Sequence, residues 1–209
     1  MRAVVCQNEK LRVAEVPAPV PGKGQVLLAT QRSGICGSDL HARLHADELA
    51  DMATEMGYPT VMRPDQEIVF GHEICGEVID YGPRTRRQWR PGTRVVTLPV
   101  RRNGATVHMV GFDTAAPGGF AEQVVTQQEF TFEVPNGLAV ERAVFTEPLA
   151  VGWHAVRRGS VSRGQAAVVI GCGPIGLAVI LMLKAAGVRT VIASDFSAGR
   201  RELAARCGA

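Results

Sequence analysis

Apolar and polar residues alternate over short segments through most of residues 1–135, and turns rich in glycine and proline separate these segments. Alternation with a period of two is typical of half-buried strands. Many short strands with frequent turns favour a closed or partly closed β-barrel. The predicted strands cover residues 3–5, 11–13, 25–30, 68–70, 75–81, 94–98, 121–125 and 131–134.

Residues 45–56 depart from this strand pattern. Leu49, Met52, Ala53 and Met56 recur at helical spacing among four acidic residues, which predicts a short amphipathic helix. Two interpretations stay open for this helix, because it either caps a pocket or covers the surface of the barrel.

The pattern changes to alternating helices and strands after Pro148. Helices are predicted over residues 149–158, 174–186 and 198–207, with strands over 167–170 and 190–194. Residues 166–183 carry no charge and reach the length of a membrane span. Three glycines and a proline interrupt that stretch, so a buried strand, a tight turn and a buried helix are predicted instead. No membrane segment is expected.

The glycine-rich turn between the first strand and helix of this region matches a dinucleotide-binding signature. It has the form Gly-x-Gly-x-x-Gly, and Asp195 follows nineteen residues after its last glycine. Glycines permit close approach of the backbone, and the helix N-terminus receives pyrophosphate. Asp195 suits the ribose hydroxyls of NAD, whereas Arg200 and Arg201 leave NADP open. The candidate cofactor-binding residues are Gly171, Gly173, Pro174, Ile175, Gly176, Asp195 and Arg200.

A second constellation supplies metal ligands. Cys36, His72, Glu73 and Glu147 provide one thiolate, one imidazole and two candidate carboxylates. Such a set suits an open zinc site with three protein ligands, where the ion acts as a Lewis acid. Combined with a nicotinamide carrier, this chemistry indicates alcohol oxidation or carbonyl reduction.

Composition narrows the class of protein. Net charge is +3 with 46% apolar and 21% charged residues, which is ordinary for a globular protein. The arginines are scattered without aromatic interleaving, which argues against nucleic-acid binding. Five cysteines without disulfide-like spacing, and the lack of a secretory signal, favour a reducing, cytoplasmic location.

Five motifs together resemble the zinc-dependent medium-chain alcohol dehydrogenases, closest to the polyol and threonine dehydrogenase branch. They occupy residues 34–41, 71–78, 118–122, 147–149 and 171–176. The resemblance implies an α/β fold class with a mainly β domain. A GroES-like β-barrel catalytic domain is expected over residues 1–148. The first part of a Rossmann domain is expected over 149–209, with the chain ending after its second strand and helix.

The resemblance also implies roles for individual residues. Cys36 and His72 would bind the zinc, and Glu73 and Glu147 compete for the third position. Asp39 would fix the orientation and tautomer of His72. Ser38 and His41 would be the catalytic proton relay, because imidazole titrates near physiological pH. His45, His108 and His154 match no motif and are expected to be surface or packing residues.

Two departures from the family pattern modify these expectations. Residues 97–117 lack the four closely spaced cysteines of a structural zinc lobe, so one catalytic zinc and no structural zinc are predicted. In addition, 35 residues separate Cys36 from His72, more than is usual in the family. That extra length contains the predicted helix at 45–56, which would shape substrate specificity.

The sequence therefore predicts an NAD(P)-linked alcohol dehydrogenase with a small alcohol, polyol or aldehyde as substrate. A full-length form is expected to be a homo-oligomer, and the chain alone is not expected to turn over alcohol. Two rival hypotheses are a zinc-free quinone or enone reductase of the same superfamily and a non-catalytic remnant that binds zinc or nucleotide.

Overall fold

The structure is a computed structural model that describes all 209 residues. The chain divides into two compact units, Met1–Val144 and Phe145–Ala209. The first unit contains strands β1 (Arg2–Gln7), β2 (Lys10–Glu15), β3 (Gln25–Gly34), β4 (Ile68–Val69), β5 (Glu73–Tyr81), β6 (Arg94–Thr97), β7 (Val100–Asn103), β8 (Thr106–Met109), β9 (Gln123–Gln127) and β10 (Thr131–Glu133), and helices α1 (Gly37–Leu44), α2 (Ala46–Glu55) and α3 (Val140–Ala143).

Antiparallel sheets form the framework of the first unit. A five-stranded sheet has the order β10-β6-β5-β3-β9, a three-stranded sheet has the order β2-β1-β4, and β7 pairs with β8. Val26, Leu28, Ile74, Val78 and Val95 are almost inaccessible and form the centre of its core. The alternation of apolar residues along β3 and β5 places this set on one face, as the pleat of a strand requires.

The pairing of β3 with β5 positions the ends of both strands. The register continues to Gly34 opposite Glu73, with irregularities at Leu27/Leu28 and Thr30/Arg32. Cys36 follows the end of β3 directly, and His72 directly precedes the start of β5. Residues 36 positions apart in the chain are thereby brought to the same edge of the sheet.

The second unit contains α4 (Thr146–Gly159), β11 (Ala166–Ile170), α5 (Pro174–Ala185), β12 (Thr190–Ser194) and α6 (Ala198–Arg206). β11 and β12 pair in parallel, with Val168 opposite Ile192. The helices pack on one face of this sheet, where Val169, Ile180 and Leu183 are buried. A Cβ on Gly152 of α4 would collide with the backbone of Ala178 in α5, so glycine allows these two helices to approach closely.

The mixed α/β architecture, with its mainly β first part, confirms the predicted fold class. The uncharged stretch 166–183 is a strand, a turn and the beginning of α5, whose twelve residues span only about 18 Å at 1.5 Å per residue. None of the helices combines the length and the apolarity needed to cross a bilayer.

Three elements were not predicted from the pattern: α1, α3 and the β7–β8 hairpin. The strands of the hairpin are mostly half-buried or exposed, so they carry little of the alternation that identifies a strand. Helix α1 begins at Gly37 and Ser38, which are poor helix formers. It is fixed instead by capping, because Asp39 and the cap residue Cys36 exchange hydrogen bonds.

Candidate metal centre and dinucleotide turn

Cys36, His72 and Glu73 form a cluster of potential metal ligands. The Cys36 Sγ, one ring nitrogen of His72 and one carboxylate oxygen of Glu73 all lie within 4.8 Å of one another. His72 and Glu73 are buried, whereas Cys36 is half-buried. The first unit alone therefore assembles three of the four predicted ligands, at the point where β3 ends and β5 begins.

Asp39 orients the imidazole of this cluster. Its Oδ1 lies 3.1 Å from His72 Nδ1, and its Oδ2 accepts the backbone N–H of Cys36 at 2.9 Å. The backbone N–H of Gly71 also points to Oδ1, at 3.4 Å. An ionised carboxylate can only accept, so this network assigns a ring proton to Nδ1 and makes Nε2 the nitrogen that is available to a metal.

The groups that surround His72 are acidic, and they favour a positive charge at this position. Burial lowers the pKa of His72, but the hydrogen bonds and negative charges of Asp39 and Cys36 outweigh it and raise the pKa to about 9. Burial raises the pKa of Glu73, and the neighbouring His72 opposes that rise. A thiol and two carboxyl groups thus surround a single imidazole, and this donor set suits a divalent cation.

The donor types identify which cation fits. Thiolate, imidazole and carboxylate are the three side chains that zinc accepts, and a site with three of them leaves a fourth position for a small molecule. Gly34 leaves room for the carboxylate of Glu73 in its present position, because a Cβ on Gly34 would collide with it. The residues present therefore fit an open zinc site.

Ser38 and His41 lie on α1 beside this cluster. The hydroxyl of Ser38 is 3.5 Å from His72 Nε2, the nitrogen left free by Asp39. His41 lies one turn further along the helix and is exposed. Its ring stacks on that of His45, with ring centroids 4.6 Å apart and an interplanar angle of 26°. His45, expected to be a surface or packing residue, thus contacts a predicted relay residue.

The fourth candidate ligand, Glu147, belongs to the second unit. It lies in the first turn of α4 and is half-buried, with Pro148 following it. A carboxylate in the first turn also complements the helix dipole.

The glycine-rich turn of the second unit has the expected strand–turn–helix setting. It connects β11 to α5, with Gly173 as the N-cap and Pro174 and Ile175 opening the helix. Gly171 has a positive φ of 90°, which favours glycine. A Cβ on Gly176 would collide with the carbonyl oxygen of Gly171, so this position accepts no larger residue.

Asp195 follows β12 and is tied to the same turn. Its Oδ2 accepts the N–H of Cys172 and its Oδ1 accepts the N–H of Ser197, each at 2.8 Å. These two hydrogen bonds hold the pKa of Asp195 below its ordinary value. The guanidinium of Arg200 lies close by, with its Nη1 3.7 Å from Asp195 Oδ2. The carboxylate is thus oriented, and its remaining lone pairs are available to a ligand hydroxyl.

Residues 97–117 contain a buried histidine–aspartate hydrogen bond that the sequence did not reveal. His108 Nδ1 lies 2.6 Å from Asp113 Oδ2, and Asp113 Oδ1 accepts the N–H of Ala115 at 2.8 Å. Both side chains are almost fully buried. No local motif signals this pair, because it depends on the turn after β8, in which the N–H of Asp113 bonds to the carbonyl of Met109.

Known proteins resemble this chain in sequence. The sequence pattern of the alcohol dehydrogenase GroES-like domain matches residues 22–136. The chain belongs to the zinc-dependent medium-chain alcohol dehydrogenase family. Among curated members of that family, (R,R)-butanediol dehydrogenase of Bacillus subtilis (strain 168) is 34% identical over 218 residues, covering 100% of this chain and 62% of its own length. Sorbitol dehydrogenase of Bos taurus is 34% identical over 211 residues, covering 95% of this chain and 56% of its own length.

Solved structures of dehydrogenases share the fold. An alcohol dehydrogenase from E. coli CFT073, in complex with NADH, superposes with a TM-score of 0.84 at 28% identity, covering 100% of this chain and 60% of the other. A dehydrogenase from Sinorhizobium meliloti 1021, described as zinc-binding and bound to NADP, gives 0.82 at 29% identity, with the same coverage. The chain thus spans about 60% of the length of the family members that it matches.

Proposed function

We propose that this chain supplies the zinc site and part of the dinucleotide site of an alcohol or polyol dehydrogenase. The reaction is hydride transfer between a small alcohol, polyol or aldehyde and NAD(P). The cluster of Cys36, His72 and Glu73, with Asp39 behind the imidazole, is the observation that carries the proposal. Similarity to butanediol and sorbitol dehydrogenases supports the substrate class.

Cys36 and His72 would hold the zinc, with Glu73 or Glu147 as the third protein ligand. Zinc at this site supplies a Lewis acid for the oxygen of an alcohol or carbonyl substrate. Asp39 keeps the proton on His72 Nδ1 and thereby presents Nε2. Because Cys36 is half-buried and its partners are buried, a small molecule can approach from the cysteine side.

The protein's own groups would carry the proton that leaves the substrate hydroxyl. Ser38 stands beside the cluster, with its hydroxyl 3.5 Å from His72 Nε2, and a hydroxyl both donates and accepts. His41 follows on the next turn of α1 and is open to solvent. We therefore assign Ser38 and His41 as the relay, in which the imidazole passes the proton to water.

Cofactor choice would be decided at Asp195. Its oriented carboxylate suits the adenosine ribose of NAD, and its charge repels a 2′-phosphate. Arg200 stands close enough to pair with such a phosphate, so NADP is the second candidate. Family structures with NADH and with NADP are both known. We propose NAD as the preferred cofactor, with residues 1–148 as catalytic domain and 149–209 as part of the dinucleotide domain.

A second candidate function applies to the 209-residue chain by itself. The outer face of its β11–β12 sheet is apolar and exposed, with Val168 at 62% and Ile170 at 86% exposure. Parallel sheets normally have both faces covered, so we propose as the alternative that a chain with this face uncovered binds zinc and nucleotide without turning over alcohol.

The test measures zinc content and NAD-linked oxidation together. Butane-2,3-diol and sorbitol are offered with NAD and with NADP, to the 209-residue chain and to the product of its complete reading frame. Turnover that requires zinc and disappears in Cys36→Ala supports the proposed function. Turnover without zinc contradicts it and favours the zinc-free reductase. Zinc binding without any turnover by either protein favours the binding module.

A further inference from the structure

A second imidazole, that of His45, lies beside the candidate relay residue His41. Ser38, His41 and His45 are spaced by three and four residues, so they lie on one face of helix α1 and its C-terminal end. Seven residues at 1.5 Å per residue extend this row over about 10 Å. The row starts at the hydroxyl beside His72 and ends at Glu48, whose Oε2 lies 3.5 Å from His45 Nδ1.

The backbone fixes His45 on both sides. Its N–H is bonded to the carbonyl of His41 at 2.9 Å, and its carbonyl accepts the N–H of Leu49 at 3.0 Å. It has φ −133° and ψ 43°, and it is both the residue at which α1 ends and the cap at which α2 begins. Its side chain is therefore attached to a defined junction between two helices.

The stack constrains the ring of His41. An exposed imidazole on a short helix is otherwise free to change χ1 and χ2, so its ring samples several orientations. The ring of His45, at a centroid distance of 4.6 Å and an angle of 26°, covers one side of it. Stacked aromatic rings stabilise one another beyond the area that they bury. Glu48 Oε2 lies 3.5 Å from His45 Nδ1, and such an exposed pair adds little energy.

We propose that His45 is a positioning residue for the proton relay, holding the imidazole of His41 in one orientation by ring stacking. This inference rests on the proposed function, because that function gives His41 its role. The stacked rings cannot form a hydrogen bond edge to edge, so His45 acts through His41 and carries no proton itself.

The test follows the His41 ring directly in the 209-residue chain. Ring proton shifts of the five histidines are measured by NMR, and the rate at which diethyl pyrocarbonate modifies His41 is measured by mass spectrometry. In His45→Ala the His41 ring signals should lose their ring-current shielding. The modification rate should rise about two- to tenfold, the range that follows from typical aromatic pair energies. In His45→Phe, which keeps a ring, both values should stay near those of the wild type.

Control variants test whether a change at His41 comes from the loss of ring stacking or from a disturbed helix end. Leu44→Ala removes an exposed neighbour of similar position and should leave His41 unchanged. Glu48→Gln should change His41 less than His45→Ala does. An unchanged His41 in His45→Ala, or a His45→Phe protein that behaves like His45→Ala, overturns the proposal. If His45→Ala loses helix content, the comparison of His45→Phe with wild type decides.

The same samples distinguish this proposal from the proposed function. A wild-type chain that shows the stack but binds no zinc refutes the function, and with it the role given to His41. A chain that binds zinc at Cys36 and His72 but shows no dependence of His41 on the ring at position 45 refutes the positioning role alone.

Discussion

The two units differ in how far they bury the candidate metal centre of the first and the parallel sheet of the second. In the first, the polar groups of the candidate metal centre are nearly inaccessible, with Asp39 at 3%, His72 at 6% and Glu73 at 8% exposure. In the second, every other residue of the parallel strands faces solvent, and Ile192 is 54% exposed although it is apolar. Parallel sheets normally have both faces covered. The first unit thus contains the groups that cover its own site, whereas the second does not cover its own sheet.

The largest effect is expected in the glycine-rich turn of the second unit. Gly176→Ala would push a Cβ into the carbonyl oxygen of Gly171, and backbone cannot give way as a side chain does. We expect a loss of about 3 kcal/mol or more in the stability of the second unit, with loss of dinucleotide binding. Thermal unfolding and NADH fluorescence measure both.

A matched control lies three residues away in the same turn. A Cβ on Gly173 would meet no atom within 4 Å, and its φ of −71° suits any residue. Gly173→Ala should therefore keep the fold of the second unit. Equal damage from both substitutions would show that steric room at Gly176 is not the reason for the effect.

The exposed sheet face predicts self-association of the 209-residue chain. Exposed apolar sheet surfaces and unpaired strand edges invite contact with other chains. Val168→Thr with Ile192→Thr should lower the apparent mass in sedimentation velocity toward that of a 22.3 kDa monomer. The control is Val13→Thr, which changes an apolar residue of the first unit that is 73% exposed. A wild-type chain that is already a monomer would contradict this account of the second unit.

In the first unit, the corresponding test concerns Asp39 and the zinc affinity of the candidate metal centre. Asp39→Asn keeps the size of the side chain but removes the charge that holds the proton on His72 Nδ1. Partners behind a metal-binding histidine typically contribute 10- to 100-fold to affinity, so zinc affinity should fall by about that factor. Competition with a chelator measures it. Asp47→Asn, an exposed position on α2, should leave the affinity unchanged.

Asp195 should give the smallest effect of the set. Asp195→Ser should lower the preference for NADH over NADPH by about tenfold, the value of one charge-assisted hydrogen bond of about 1.5 kcal/mol. Asp195→Asn retains an acceptor toward Cys172 and separates loss of charge from loss of turn geometry. A wild-type chain that already prefers NADPH would assign the dominant role to Arg200.

The sequence predicted those features that depend on local pattern. Eight of the ten strands of the first unit, the β11–turn–α5 arrangement and the motifs around Cys36 and His72 follow from spacing and periodicity. Helix α1 did not, because it is fixed by the exchange of hydrogen bonds between Cys36 and Asp39, which spacing alone does not reveal. Since α1 was not predicted, the relation of His41 to His45 as neighbours four residues apart on one helix was not visible either.

The position of Glu73 shows a second limit of sequence analysis. Consecutive residues in a strand point to opposite faces, which argues against two neighbours sharing one site. His72, however, precedes β5, and the strand starts only at Glu73, so both side chains reach the thiol of Cys36. The exact start of a strand is not readable from alternation, so the sequence alone does not rank Glu73 against Glu147.

Zinc content measured after stripping with a chelator and reloading tests the central claim most directly. We predict about one equivalent per chain, as one open site requires. The Cys36→Ala, His72→Ala double variant should retain none. Glu73→Gln and Glu147→Gln, measured in parallel, should identify the third ligand by the larger loss of affinity. Two equivalents in the wild type, or undiminished zinc in the double variant, would contradict the account.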